Sequence, residues 1–250
     1  MAENMQRIAE MYAAAVAEHS AKRLADAYRA YWDVMRADPP RPPSPVELAR
    51  VVALAPRLYV TPDEPFPLKD AVAVVHPGQP LIAYHLFWDD DIDFPDDQEP
   101  ADHEVVYVSY APDGHLRGVH AYYHGHIITS AMAAAQDGRP RIDVQWGKHG
   151  SLVEGWRELY EGQVLADMRR TYERLHTAGR REQDNPLARH WPRTYVSTWE
   201  QFTDFAVEID LAPRLADGDM VIVTPWANAA LFTHFLRYNF RPKTDWPPTT

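Results

Sequence analysis

Between Ile82 and Trp156 the chain gathers seven of its twelve histidines, in segments that read as β-strands and also carry carboxylates. The groups are Tyr84-His85 with Asp89-Asp90-Asp91, Asp102-His103-Glu104, His120-Ala121-Tyr122-Tyr123-His124-Gly125-His126, and Gly147-Lys148-His149-Gly150. Imidazoles and carboxylates converging from neighbouring strands are what a divalent metal site needs, so function is sought here rather than at the termini.

Strand alternation decides which of these groups can meet. His85, Phe87 and Asp89 share one face; Asp102 and Glu104 share a face, with His103 pointing the other way. Read as one strand, Val119 to His126 lines His120, Tyr122, His124 and His126 along a single face, an expensive choice for an apolar core. If the inner faces coincide, His85, Asp102, Glu104, His124 and His149 converge as metal ligands, leaving open positions for water or substrate. Such a set suits Fe(II), Mn(II), Zn(II) or Ni(II), which the residue list does not separate. Lys148 beside His149 supplies an ammonium to act as acid or base or to hold an anionic substrate, and His120 and His126 are further candidates for proton transfer. Trp88, Tyr122, Tyr123 and Trp146 flank these groups, either as pocket walls or as ordinary core packing.

The elements that must position them follow from periodicity. Residues 5 to 36 repeat apolar side chains at helical spacing and form one long helix or two shorter ones. Asp38-Pro39-Pro40-Arg41-Pro42-Pro43 is an extended connector. Ser44-Pro45-Val46-Glu47 then combines an N-cap, a proline at the first helical position and an acid three residues past the cap, predicting a helix to about Ala53. From Pro56 the pattern turns to short β runs: Leu58 to Val60, Ala71 to Val75, Leu81 to Trp88, Val105 to Tyr110, Leu116 to Ile128 and Ile142 to Trp146. The acidic stretch from Asp89 to Asp102 reads as a solvated loop. Leu152 to Ala178 reads as a helix stopped by Gly179, and a linker follows. A short helix is predicted at Trp199 to Phe205, a strand at Val221 to Thr224, and a helix or irregular cover at Ala227 to Leu236. The sum is an α+β fold: a central antiparallel β-sandwich (54–250) with an N-terminal helical region (1–53) and a long helical insertion (152–180).

Composition narrows the chemistry. The 250 residues, 46% of them apolar, suffice for a full core. The absence of cysteine excludes disulfides, thiolate zinc sites, Fe–S clusters and a cysteine nucleophile, so any metal is held by N and O ligands. A formal charge of −11 without a long basic run argues against a nucleic-acid partner and favours a cationic or metal-chelated small molecule. No apolar run approaches a membrane span and the N-terminus lacks a basic leader, so a cytoplasmic location is expected. No phosphate loop, G-x-S-x-G, H-E-x-x-H or dinucleotide fingerprint is present.

Read in order, several motifs resemble the necrosis-inducing (NPP1-like) proteins and the related Vps62-like proteins. They are the stretch from Leu54 through Thr61-Pro62-Asp63-Glu64-Pro65 to Leu68, Leu81 to Asp91, Asp102-His103-Glu104, His124-Gly125 and Val144 to Gly150. The segment from Tyr238 to Pro247 extends the match. The resemblance implies a β-sandwich holding a divalent cation at one end through acids and histidines. Its acidic ligands carry over onto Asp102, Glu104 and one of Asp89, Asp90 or Asp91. This chain departs from the secreted toxins in lacking disulfides and in its added helices, so membrane-damaging activity is not expected. The leading expectation is a metal-dependent hydrolase, lyase or oxygenase acting on a small organic substrate. The alternative is a non-catalytic module whose cation recognises a sugar or lipid head group, and a purely structural metal is a third reading.

Overall fold

The computed structural model describes residues 2–92, 102–130, 138–178, 198–234, 241–243 and 246–247. The N-terminal periodicity resolves into two helices, α1 (Ala2–Ser20) and α2 (Leu24–Ala37), separated where Lys22 takes a left-handed φ of 59°. Helix α3 (Pro45–Ala53) begins as its sequence dictates: the Ser44 hydroxyl accepts from Glu47 N–H, and the Glu47 carboxylate accepts from Ser44 N–H. Arg41 adds a bidentate contact to that carboxylate, drawing Glu47 down to a pKa of about 2.

Among the described residues ten strands follow: β1 (Arg57–Val60), β2 (Leu68–Val75), β3 (Leu81–Trp88), β4 (Asp102–Tyr110), β5 (Leu116–Tyr123), β6 (His126–Ser130), β7 (Arg141–Val144), β8 (Ser151–Val153), β9 (Val207–Asp210) and β10 (Val221–Val223). The later helices are α4 (Gln163–Ala178), α5 (Trp199–Phe202), α6 (Ala212–Leu215) and α7 (Ala227–His234). One sheet runs β10-β2-β3-β4-β5-β6 and the other β8-β7-β1-β9. The α+β class holds. The sheets are mixed rather than wholly antiparallel, because β1 pairs with β7 and β10 with β2 in parallel after long crossovers. Among the described residues no helix is long and apolar enough to cross a membrane.

Two local expectations are corrected. Leu116 to Ile128 is a hairpin rather than one strand, turning at His124 and Gly125, whose φ values are 45° and 90°. Leu152 is not helical: β8 pairs with β7, a 3₁₀ turn spans Leu159–Gly162, and the helix starts only at Gln163. Elements β9 and α6 carry too little periodicity to be found from sequence. The expected linker after Gly179 lies outside the described residues.

The six-stranded sheet is buried on both faces. Ile82, Tyr84, Leu86 and Trp88 of β3 pack with Val106 and Val108 against Leu58, Ile142, Val144 and Leu152 of the smaller sheet. On the other face Ala83, Phe87, Val105 and Tyr107 meet α1, α2 and α7. His85 falls in that second layer by parity, where its Nδ1 lies 2.9 Å from His103 Nε2 and the rings stack at 5.2 Å. Burial and the Lys243 charge push His85 down to about 3, and burial with His85 depresses His103 well below the ordinary range. Both rings are therefore neutral in the fold and accept protons more readily when it unfolds. The stability that neutrality contributes is present above pH 6.5 and is lost as pH falls, with His85 titrating towards 3 at about 1 kcal/mol per pH unit. Urea unfolding between pH 7 and 4 is expected to show this acid limb, and His85→Leu to flatten it. Parallel pH profiles for the two proteins would refute the assignment.

Candidate functional site

At the end of the sandwich where β3 finishes and β4 begins, Trp88 and Asp102 face each other across the ladder, followed by Leu86 and Glu104. Asp102 and Glu104 thus share the face that looks towards the smaller sheet, as their spacing requires. From that sheet comes the β7–β8 connection. Its backbone doubles back through Gln145, which receives the N–H of His149 at 2.9 Å and donates its own to Gly150 O at 3.1 Å. Gly147 and His149 stand in left-handed conformations, with φ of 63° and 53°. For a histidine that conformation costs about 1–2 kcal/mol, which the surrounding contacts must offset.

Those contacts are strong. His149 is fully buried, with Nδ1 2.9 Å from Asp102 Oδ2 and Nε2 3.1 Å from Glu64 Oε1. Its ring stacks on Trp88 at 4.3 Å with an interplanar angle of 6°, and the edge of Phe66 approaches at 6.2 Å. A carboxylate oxygen accepts at each nitrogen, so both nitrogens donate and the ring is an imidazolium. Burial works against that charge, but Glu64 and Asp102 outweigh it and hold His149 at about 10. Glu64 is fixed in turn: Oε1 also accepts from Phe66 N–H at 3.2 Å and Oε2 from Gly147 N–H at 3.0 Å. Asp102 Oδ1 accepts from His103 N–H at 2.7 Å.

Glu104 is less well served. Its Oε1 lies 3.4 Å from Lys243 Nζ, while its Oε2 is buried without a hydrogen-bond partner among the described residues. Burial pushes Glu104 up to about 8, with Lys243 opposing and Asp102 reinforcing. Lys243 sits 4.5 Å above the Tyr122 ring; Glu104 and Asp102 overcome its burial and raise it. Its ammonium reaches Glu104 where the β4–β5 ladder, which starts at Val106 and Ala121, has not yet closed.

The expected five-ligand convergence does not form. Asp102, Glu104 and His149 come together. His85 lies on the opposite face of the six-stranded sheet, because it pairs with Val105 and is one residue out of phase with Leu86 and Glu104. His124 sits in the hairpin turn, its Nε2 2.8 Å from Gln145 Oε1 and 3.8 Å from Asp167 Oδ2. His120 faces away from the cluster, its Nδ1 2.9 Å from Thr129 Oγ1. His126 is exposed at the start of β6, and Lys148 is half-buried next to His149. Asp89 pairs with Lys69, and Asp90 accepts from Asp91 N–H. Among the described residues no three His, Asp or Glu side chains are arranged to hold a metal ion as they stand.

Two central residues escaped sequence reasoning. Glu64, between Pro62 and Pro65, arrives from 85 positions before His149, and Lys243 from 139 positions after Glu104. The acid flanked by prolines in a stretch otherwise rich in apolar residues was the available signal for Glu64; Lys243 lies in the Tyr238 to Pro247 segment of the resemblance, which gave it no role.

A cleft of about 790 Å³ lies beyond Tyr123, between the β5–β6 turn and the first turns of α4. The Tyr123 ring packs where a Cβ on Gly150 would come within 3.0 Å, and its hydroxyl donates to Asp167 Oδ2 at 3.0 Å. Tyr160, whose φ is 51°, also lines it. The Tyr160 hydroxyl crosses to donate to Ile127 O at 2.9 Å.

No protein-family model matches the chain, and no curated protein matches it. Solved structures similar to it are necrosis- and ethylene-inducing proteins, the group its motifs resemble. NLPPya in complex with glucosamine is 17% identical with a TM-score of 0.33, over 51% of this chain and 81% of that one. NLPPya in complex with mannosamine is 16% identical with a TM-score of 0.32, over 44% and 69%. Necrosis and Ethylene inducing Protein 2, from the causal agent of cocoa's Witches Broom disease, is 15% identical with a TM-score of 0.29, over 42% and 63%.

Proposed function

We propose that the His149 end of the sandwich is the active site of a divalent-cation-dependent enzyme acting on a small organic substrate. The observation that supports this reading is Glu104: a buried carboxylate with one oxygen unpartnered among the described residues, beside a second carboxylate on the same strand face. Counted as ions, Glu64, Asp102 and Glu104 carry three negative charges against the two positive charges of His149 and Lys243. That leaves −1, which one proton on Glu104 balances; a divalent cation beside an ionised Glu104 takes the cluster to +1.

The donor chemistry fits a hard cation. With both imidazole nitrogens engaged by carboxylates, the groups available are oxygens, and two carboxylates completed by water is a common Mg(II) or Mn(II) arrangement. Of the metals expected from the residue types, Mn(II) is the one this set suits. Glu104 and Asp102 would hold the ion. Bound there, it would supply Lewis-acid polarisation of a substrate oxygen. His149 acts from behind, fixing Asp102 through Nδ1 while Glu64 fixes His149. Glu104, raised to about 8, is poised to gain or lose a proton near neutrality. Lys243 takes the role that sequence reasoning gave to Lys148, an ammonium ready for an anionic group of the substrate.

Calorimetric titration of the purified chain with Mn(II) tests this reading. One ion is expected to bind, releasing close to one proton below pH 8 as Glu104 ionises, with affinity rising from pH 6 to 8. Glu104→Gln is expected to weaken binding at least tenfold and to abolish the proton release. Equal affinity in the variant removes the assignment, whereas uptake without turnover of any carbonyl or ester substrate favours the binding-module reading.

A further inference from the structure

The cleft beyond Tyr123 takes no part in the proposed chemistry, and its own construction is informative. Asp167 is the carboxylate in its lining, which also holds His124, His126 and Arg170, with His124 Nε2 3.8 Å from Asp167 Oδ2. One oxygen is held from inside by the buried Tyr123 hydroxyl, so the carboxylate is oriented by the core rather than by solvent. The other oxygen receives Arg170 at 2.8 Å, but that partner is 69% exposed and one helical turn away. Exposed pairs of this kind are weak, so Arg170 is a counter-ion that a ligand can displace. Against its burial, the bonds from Tyr123 and Arg170 hold Asp167 below the usual carboxylate range, so it remains charged throughout neutral pH.

The remaining lining is half apolar in character: Ile127 and Ile128 on the strand side, Val164 and Ala166 on the helix side. Tyr160 in the same lining is 51% exposed on left-handed backbone, and its hydroxyl donates across to Ile127 O. An aromatic face beside a carboxylate is a favourable setting for an organic cation. The volume lies in the range of small-molecule sites. The formal charge of −11 adds a long-range attraction of the same sign.

We propose that this cleft is a second binding site, independent of the Glu104 cluster, that takes a small organic amine: the ammonium on Asp167, the apolar body along Ile127, Ile128 and Val164, beneath Tyr160. Asp167 is the specificity-determining residue and Arg170 its resident competitor.

The test uses the full chain titrated with phenethylamine and, separately, with 3-phenylpropionate, a probe of similar size and opposite charge, while the histidine ring resonances are followed by NMR. Phenethylamine is expected to bind and to shift the His124 and His126 signals, and 3-phenylpropionate to do neither. Asp167→Asn is expected to weaken the amine about tenfold, the loss of one charge-assisted contact. Arg170→Ala, a surface change that leaves the fold intact, is expected to tighten it about threefold by removing the competitor. Glu104→Gln is expected to leave amine binding unchanged, which separates this proposal from the one on the buried cluster. Equal binding of the two probes, undiminished affinity in Asp167→Asn, or weaker binding in Arg170→Ala would overturn it.

Discussion

Replacing His149 with asparagine is expected to destabilise the fold by about 3–5 kcal/mol at neutral pH, the cost of removing one member of a buried ionic network and leaving its partners uncompensated. Asparagine is chosen because it tolerates the left-handed backbone at this position, so the loss reports the side chain. The amide cannot donate to Asp102 and Glu64 together, and Trp88 loses the ring that covers it. Urea unfolding measures the deficit, and its pH dependence tests the cause. His149 is held at about 10, so the stability it contributes is fully present below its unfolded value near 6.5 and is lost as pH rises through 10. The wild-type protein should therefore show an alkaline decline that the variant lacks. In acid the orphaned carboxylates can take up protons, so the deficit should narrow between pH 7 and 4. A deficit independent of pH would mean that His149 contributes packing alone.

The second large effect is an asymmetry. Glu104 and Lys243 form one buried pair, yet removing either partner is expected to have a very different cost. Lys243→Met leaves Glu104 without its ammonium, but an acid raised to about 8 is already mostly protonated at pH 7, and the loss there should stay below about 1.5 kcal/mol. Glu104→Leu leaves an ammonium with Tyr122 beneath it and its direct carboxylate gone. Its side chain is 15% exposed, so about 2–4 kcal/mol is expected, somewhat less than for a fully buried ion. The double variant Glu104→Leu/Lys243→Met should recover most of that loss, because it also removes the desolvated ammonium. A double-mutant cycle in urea at pH 7 reads all three values. Equal costs for the two single variants would show that Glu104 is ionised in the fold and would undo the proton-handling role assigned to it.

Local rules reached some of this site and stopped at a definable place. Parity along β4 put Asp102 and Glu104 together and His103 behind them, and that is how they stand. The same rule failed for His124 and His126, because a two-residue turn at His124-Gly125 interrupts the strand and resets the count. It also could not say which face of β3 would meet which face of β4. That depends on register, and a pairing of His85 with Val105 rather than with Glu104 sends the imidazole into the helical layer.

What the sequence alone determined was whatever depends on neighbours within a few residues: the cap of α3, the β character of the central segments, the face shared by Asp102 and Glu104, and the exclusion of thiolate chemistry. Only the tertiary structure decided which side chains meet. It carried Glu64 to His149 across 85 residues and Lys243 to Glu104 across 139, turned one predicted metal ligand into an imidazolium held by two acids, and put another on the far side of the sheet. The reason is that strand alternation is a short-range consequence of backbone geometry, whereas ionisation in a core is set by burial and by charges brought from distant parts of the chain.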